Sequence, residues 1–184
     1  MNKFLLIGSA PYIKDWYAEF GKTVLNRGYK LCAINNAWSI DPDNVWWWLH
    51  STDFIDLGKV QPTHKVRMEL ESRAKNPAGE NNYKYEFRGS GTMLLNCLCD
   101  LLNYSLNTGE RCTVAVAGCD CVYSKKETHF YGSSTKDPLR FGAQWLVKEL
   151  ERIEGFYEEE GCKLYNVGLR DTLLPFRGQL PTEI

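Results

Sequence analysis

A short run, Lys3-Phe4-Leu5-Leu6-Ile7, stops abruptly at Gly8-Ser9-Ala10-Pro11. That change limits the fold more than any other stretch of the chain. A brief apolar run ended by small residues reads as a buried strand feeding a tight turn. Gly8 permits backbone angles closed to other residues, and Ser9 and Ala10 leave the approach to the main chain open. Lys30-Leu31-Cys32-Ala33-Ile34 ends the same way, in Asn35-Asn36. Parallel strands whose carboxyl ends carry small and amide residues line the usual ligand crevice of an open α/β sheet. The pattern therefore predicts a nucleotide or nucleotide-sugar site walled by Gly8, Ser9, Ala10, Asn35 and Asn36.

The rest of the chain alternates in kind. Between the two runs, Ile13, Trp16, Tyr17, Phe20, Val24 and Leu25 recur at steps of three and four, one face of a helix closed by Gly28. Asn44 to Leu49 reads as a third strand whose Trp46-Trp47-Trp48 triplet sends indoles to both sides of the sheet. Thr52-Asp53 ends it with polar groups, which makes Asp53 a candidate acceptor-side residue. His64 to Leu70 and Tyr83 to Phe87 read as short strands, separated by the loop Asn76 to Asn82. Arg88-Gly89-Ser90-Gly91-Thr92 opens a helix from Met93 to about Leu106 with a broad apolar face. Cys112 to Ala117 reads as a central strand ending in Gly118-Cys119-Asp120. A polar loop follows, then a helix from Asp137-Pro138 to Gly161 and a last strand at Lys163 to Val167. Strand and helix alternating in this way predict a single α/β, Rossmann-like domain over residues 1–184, with a mostly parallel central sheet flanked by helices.

Composition removes several function classes. A formal charge of −1 gives no general attraction for nucleic acid or anionic lipid. No segment is long and apolar enough to span a membrane, and the apolar run after Lys3 is too short for a signal-peptide core. Seven cysteines, an odd number, fit a reducing cytoplasmic compartment better than a disulfide framework. Cys97-Leu98-Cys99 and Cys119-Asp120-Cys121 lack zinc-site spacing and read as core residues, with no metal site expected. Aromatic residues make up 13% of the chain. They read first as core and otherwise as a platform for stacking bases or sugars. The Trp triplet, read as exposed, offers a place for a homo-oligomer to form.

Two segments carry candidate chemistry. Ser90, Gly91 and Thr92 at a helix start suit an anion, because main-chain N–H groups and the helix dipole favour phosphate there. Capping of the helix by Ser90 or Thr92 is compatible with that role. His129, in the loop after the central strand, has an ordinary pKa suited to general acid–base work. His50 and His64 read as structural or surface residues. The opening turn matches neither a Walker A loop nor a GxGxxG fingerprint.

Together these segments resemble the bacterial sialyltransferases of glycosyltransferase family 42, and the wider group of small α/β domains that includes the 6-hydroxymethylpterin pyrophosphokinase-like proteins. Phe4 to Pro11 is similar to the family's first strand and G-N-G-P-S turn, Ile34-Asn35-Asn36 to its second strand and nucleotide-contacting Asn, and Ser90-Gly91 to its T-S-G turn. Val114 to Tyr123 is similar to its strand ending in G-[IV]-D, with Asp120 at the acidic position. Thr128-His129-Phe130-Tyr131-Gly132 follows its S-H-Y-I-G segment. The resemblance implies a metal-independent glycosyltransferase that needs no cofactor. His129 would take the acceptor's proton as the sugar leaves a CMP- or UDP-type donor. Asn35 and Ser90 would hold base, ribose or phosphate, and Tyr123 would donate to the leaving phosphate. Arg88 would assist the chemistry and Tyr131 the acceptor side. The sequence departs from the family at Ser9 and Ala10, at Thr92, which follows the Ser-Gly pair, and at Arg88, one residue out of register. The acceptor implied is a glycan or, in so compact a chain, a nucleobase as in hypermodified viral DNA. Two other readings stay open: magnesium-dependent phosphotransfer with Asp53 or Asp120 as metal ligands, and a non-catalytic nucleotide-binding module.

Overall fold

The computed structural model describes residues 1–51, 68–72, 84–85, 93–121, 143–168 and 171–184. Six strands form one sheet: β1 (Asn2–Ile7), β2 (Lys30–Ile34), β3 (Val45–Ser51), β4 (Met68–Ser72), β5 (Cys112–Ala117) and β6 (Lys163–Asn166). Every pairing is parallel, and the order across the sheet is β4-β3-β2-β1-β5-β6. The α/β, Rossmann-like expectation is met. The reason is visible in β1, where Phe4 and Leu6 face one layer of core and Leu5 and Ile7 the other. A strand buried on both faces must be apolar at successive positions.

Helices cover both faces. Helix α1 (Ile13–Trp16), a π-helical turn (Tyr17–Gly21) and α2 (Lys22–Asn26) run on as one element over the first face. The wide turn is built around Gly21, where a Cβ would come within 2.8 Å of the Tyr17 ring. Tyr17 donates its hydroxyl to Asp41 Oδ2 at 2.7 Å, and Trp16 Nε1 donates to the Val167 carbonyl at 2.9 Å. The opposite face is covered by α3 (Met93–Asn107) and α4 (Ala143–Glu159). Residues 137–142, the expected start of α4, lie outside the described residues, as do 64–67 ahead of β4.

Two expectations about this architecture are corrected. The Trp triplet is not exposed: Trp46, Trp47 and Trp48 are 9%, 3% and 2% accessible. Nor does it simply alternate. The register shifts between Leu31↔Val45 and Cys32↔Trp47, so Trp46 is an extra residue in β3. Trp46 and Trp47 consequently share the α3 face, packed edge-on against Tyr104 at 5.5 and 5.2 Å. Trp48 turns to the other face, stacks on His50 and donates Nε1–H to the Asn35 carbonyl at 2.9 Å. The second correction concerns Lys84 and Tyr85, which lie in a bend rather than a strand. Both of their N–H groups donate to Asn103 Oδ1, at 3.0 and 3.1 Å, and Asn103 Nδ2 returns a bond to the Tyr85 carbonyl. A buried side-chain amide has taken the place of a strand partner.

Asp100 is the exception in this core. Its Oδ2 is buried with no hydrogen-bond partner among the described residues, and burial pushes its carboxyl up to about 7. A carboxyl raised above its unfolded value stabilises the fold fully below the unfolded pKa, and loses that contribution as pH rises through the folded one. The window here runs from about pH 4 to above pH 7. Asp100→Asn is expected to raise the melting temperature at pH 8 by roughly 3–6 °C, corresponding to about 1–2 kcal/mol. Near pH 4 it should change it little. Thermal unfolding across that range checks the difference, and equal curves at pH 8 would contradict it.

Candidate functional site

The strand order reverses at β1. The chain steps from β1 through β2 and β3 to β4 in one direction, then resumes on the other side of β1 with β5 and β6. The helix after β1 packs on one face of the sheet and α4, which follows β5, on the other, and such a reversal is where open α/β sheets place a ligand crevice, at the carboxyl ends of the strands. The residues that build it come from the turn Gly8–Tyr12, from Asn35 after β2, from Gly118–Cys121 after β5 and from Asn166–Gly168 at the end of β6.

The floor is a close main-chain contact. Gly8 N–H donates to the Ala117 carbonyl at 2.9 Å and Ala10 N–H to the Gly118 carbonyl at 3.0 Å. A Cβ on Gly8 would fall closer than 3.0 Å to the Gly118 carbonyl oxygen and 2.5 Å from Cys119 Sγ. Gly8 is absent from the positive-φ residues, whereas Gly118 is among them at +68°. The sequence expectation that Gly8 supplies special backbone angles is thus replaced by a steric reason: its side is filled by β5. With the Gly8 and Ala10 amides bound to β5, those two donors serve the sheet rather than a phosphate.

Tyr12 ties the loops together. Its hydroxyl accepts the Gly118 N–H at 3.3 Å and donates to the Asp120 carboxylate. Burial first, then Asp120, drives its pKa far up, so it remains a neutral phenol at physiological pH. Gly168 closes the other side. A Cβ there would collide with the Tyr12 oxygen and lie 3.3 Å from both Asn166 Oδ1 and Asp120 Oδ1. Gly168 N–H donates to Asn166 Oδ1 at 3.0 Å. The Asp120 main-chain carbonyl receives Leu173 N–H at 2.9 Å and Thr172 Oγ1 at 3.3 Å, which draws the C-terminal segment onto the site. Asp120 itself is 6% accessible.

Two non-glycine residues at the crevice hold left-handed backbone, Asn35 at φ 48° and Cys121 at φ 58°. Such conformations carry strain and collect at ligand sites. Asn35 Oδ1 is buried without a hydrogen-bond partner among the described residues, leaving an acceptor for a ligand N–H or O–H. Cys119 is only partly exposed, and burial, with Cys121 and Asp120 nearby, pushes its thiol well up. It is a packing group rather than a nucleophile. An acceptor-rich crevice with a buried carboxylate suits hydroxyls and amino groups, and keeps phosphate away from Asp120 itself.

Of the sequence-derived site residues, Gly8, Ser9, Ala10, Asn35, Asn36 and Asp120 are brought to the carboxyl ends of β1, β2 and β5. Asp53, Arg88, Ser90, Gly91, Thr92, Tyr123, His129 and Tyr131 lie outside the described residues. Sequence reasoning missed Tyr12, Asn166 and Gly168. Asn166-Val167-Gly168 carries the same amide-and-small ending that marked the first two strands, and could have been read the same way. Among the described residues no cluster of His, Cys, Asp and Glu could hold a metal ion, and no helix is long and apolar enough to cross a membrane. No family model, curated protein or solved structure matches this chain.

The Tyr12–Gly168 contact makes a direct test. Gly168→Ala is expected to cost about 1–3 kcal/mol, lowering the melting temperature by roughly 3–10 °C. Combining it with Tyr12→Phe, which removes the colliding oxygen, should restore part of the loss. Denaturant unfolding of the two single variants and the double variant measures the coupling, and strictly additive losses would contradict the clasp.

Proposed function

We propose that the chain is a glycosyltransferase that binds a nucleotide-activated sugar in the crevice between the carboxyl ends of β1, β2 and β5. One observation carries the reading: the strand order reverses at β1, and the strained Asn35, its side-chain oxygen unpartnered among the described residues, and the buried Asp120 carboxylate stand at the ends of the strands on either side of it. Asn35 accepts from the base or ribose of a CMP- or UDP-type donor. Asp120 serves the hydroxyls of ribose or sugar, as acidic residues at such crevices do. His129 follows β5 in sequence.

In the reaction the bond between sugar C1 and the donor phosphate oxygen breaks as the acceptor oxygen bonds to C1. His129 takes the acceptor's hydroxyl proton. Tyr123 donates a hydrogen bond to the departing phosphate, whose charge then needs no cation. Ser90, Gly91 and Thr92, which precede α3 in sequence, bind phosphate, and Arg88 assists the chemistry. A glycan or a nucleobase is the acceptor, with Tyr131 and Asp53 on that side. Seven free thiols support a cytoplasmic compartment.

Calorimetry with CMP, UDP and their sugars, with and without a chelator, tests the donor. Binding that survives chelation is expected, whereas a response only to nucleoside triphosphates plus magnesium would make the chain a phosphotransferase. His129→Ala should lower turnover about 100-fold or more while leaving donor affinity intact. Normal turnover by that variant would contradict the role of His129, and binding without turnover of any donor would make the chain a nucleotide-binding module. Asn35→Gly is expected to hold or raise the melting temperature, because Gly accepts the left-handed backbone without strain. The same variant should weaken donor binding roughly tenfold; unchanged affinity would remove Asn35 from the site.

A further inference from the structure

Cys112 and Cys162 are adjacent thiols at the end of the sheet opposite the crevice. Cys112 begins β5 and Cys162 immediately precedes β6, next to the paired Thr113 and Lys163. Cys112 N–H donates to Cys162 Sγ at 3.2 Å, and the two thiols are themselves within hydrogen-bonding contact. Neighbouring parallel strands hold facing residues about 5 Å apart, inside the Cα separation that a disulfide spans. Both cysteines are free, and both are buried, at 1% and 5% accessibility.

The approach to the pair is charged. Arg111, just before Cys112, is exposed and lays its guanidinium over Gly161, just before Cys162; a Cβ on Gly161 would lie 3.1 Å from Arg111 Cζ. A cation next in the chain to Cys112 and lying over the neighbour of Cys162 attracts anionic thiol reagents. Cys162 Sγ already accepts a main-chain N–H, whereas burial holds the Cys112 thiol up at about 12. Cys162, the more accessible of the two, is the thiol the oxidant reaches first.

We propose that Cys112 and Cys162 form a reversible disulfide that staples the entry of β5 to the entry of β6, with a low-molecular-weight disulfide such as glutathione disulfide as oxidant. The Cys162 thiolate attacks one sulfur of the oxidant and expels the other as a thiolate. Cys112 then gives up its proton, attacks Cys162 Sγ and releases the second small thiol. Two protein thiols and one small disulfide become one protein disulfide and two small thiols, with two electrons passing to the oxidant. The closed loop spans residues 112–162 and so encloses Tyr123, His129 and Tyr131 in sequence. The staple lies at the end of the sheet opposite the crevice, on which the proposed function rests.

The test equilibrates the protein over a series of oxidised-to-reduced glutathione ratios, quenches it with acid and alkylating agent, and maps the peptides. A Cys112–Cys162 cross-linked peptide, with a loss of about 2 Da from the intact mass, is expected. The melting temperature should rise by roughly 5–10 °C and fall back on adding dithiothreitol. Cys112→Ser and Cys162→Ser should each abolish both changes, and Arg111→Gln should slow cross-linking several-fold without altering its final extent. If either serine variant fails to fold, the wild-type peptide map decides alone. Alkylation of both thiols across the whole series would overturn the proposal. So would a stable glutathione adduct at Cys162 or Cys119 with no cross-link.

Discussion

The contact between Gly8 and Gly118 is the constraint on which the rest of this structure depends. β1 and β5 pair in unbroken register from Asn2↔Cys112 to Ile7↔Ala117, and the glycines allow the two main chains to stay bonded beyond that register. What a side chain at Gly8 would meet first is the Gly118 carbonyl, main chain that cannot swing aside, with Cys119 Sγ beside it. Gly118 adopts left-handed backbone immediately afterwards. After that turn the Asp120 carboxylate meets the Tyr12 hydroxyl. Strand order, crevice and the placement of Asp120 follow from one close approach.

Around that contact the molecule gathers segments far apart in sequence. Tyr12 reaches the Gly118 amide across 106 residues, and Trp16 reaches Val167 across 151. The C-terminal segment binds to the Asp120 carbonyl and alongside β6, where Asn166 N–H meets the Arg177 carbonyl and Gln179 N–H meets the Asn166 carbonyl. This last pairing covers main-chain groups that an open sheet edge would leave exposed. The tail therefore serves both the sheet edge and the back of the crevice.

Most of the architecture was legible in the sequence because each buried strand is a short apolar run with small or polar residues at its end. β1, β2, β3, β5 and β6 are all of this kind, and Met93–Asn107 declares itself by its leucines. The failures have physical causes outside the local pattern. The facing of Trp46 depends on a bulge set by pairing with β2, and the bend at Lys84–Tyr85 depends on the distant amide of Asn103. Within the site, Gly8, Asn35 and Asp120 were readable because strand ends were. Asn166 and Gly168 end β6 with a signal of the same kind, whereas Tyr12 acquires its role only when three loops meet, and no spacing within one segment announces that meeting.

On the proposed reading, ligands enter at the carboxyl ends of β1, β2 and β5, and amide chemical-shift mapping by NMR during titration with CMP and UDP locates that entry. Shifts concentrated at Ser9 to Tyr12, Asn35–Asn36, Gly118 to Cys121 and Val167–Gly168 are the predicted result. Shifts confined to the amino ends of the strands, or none with either nucleotide, would contradict it.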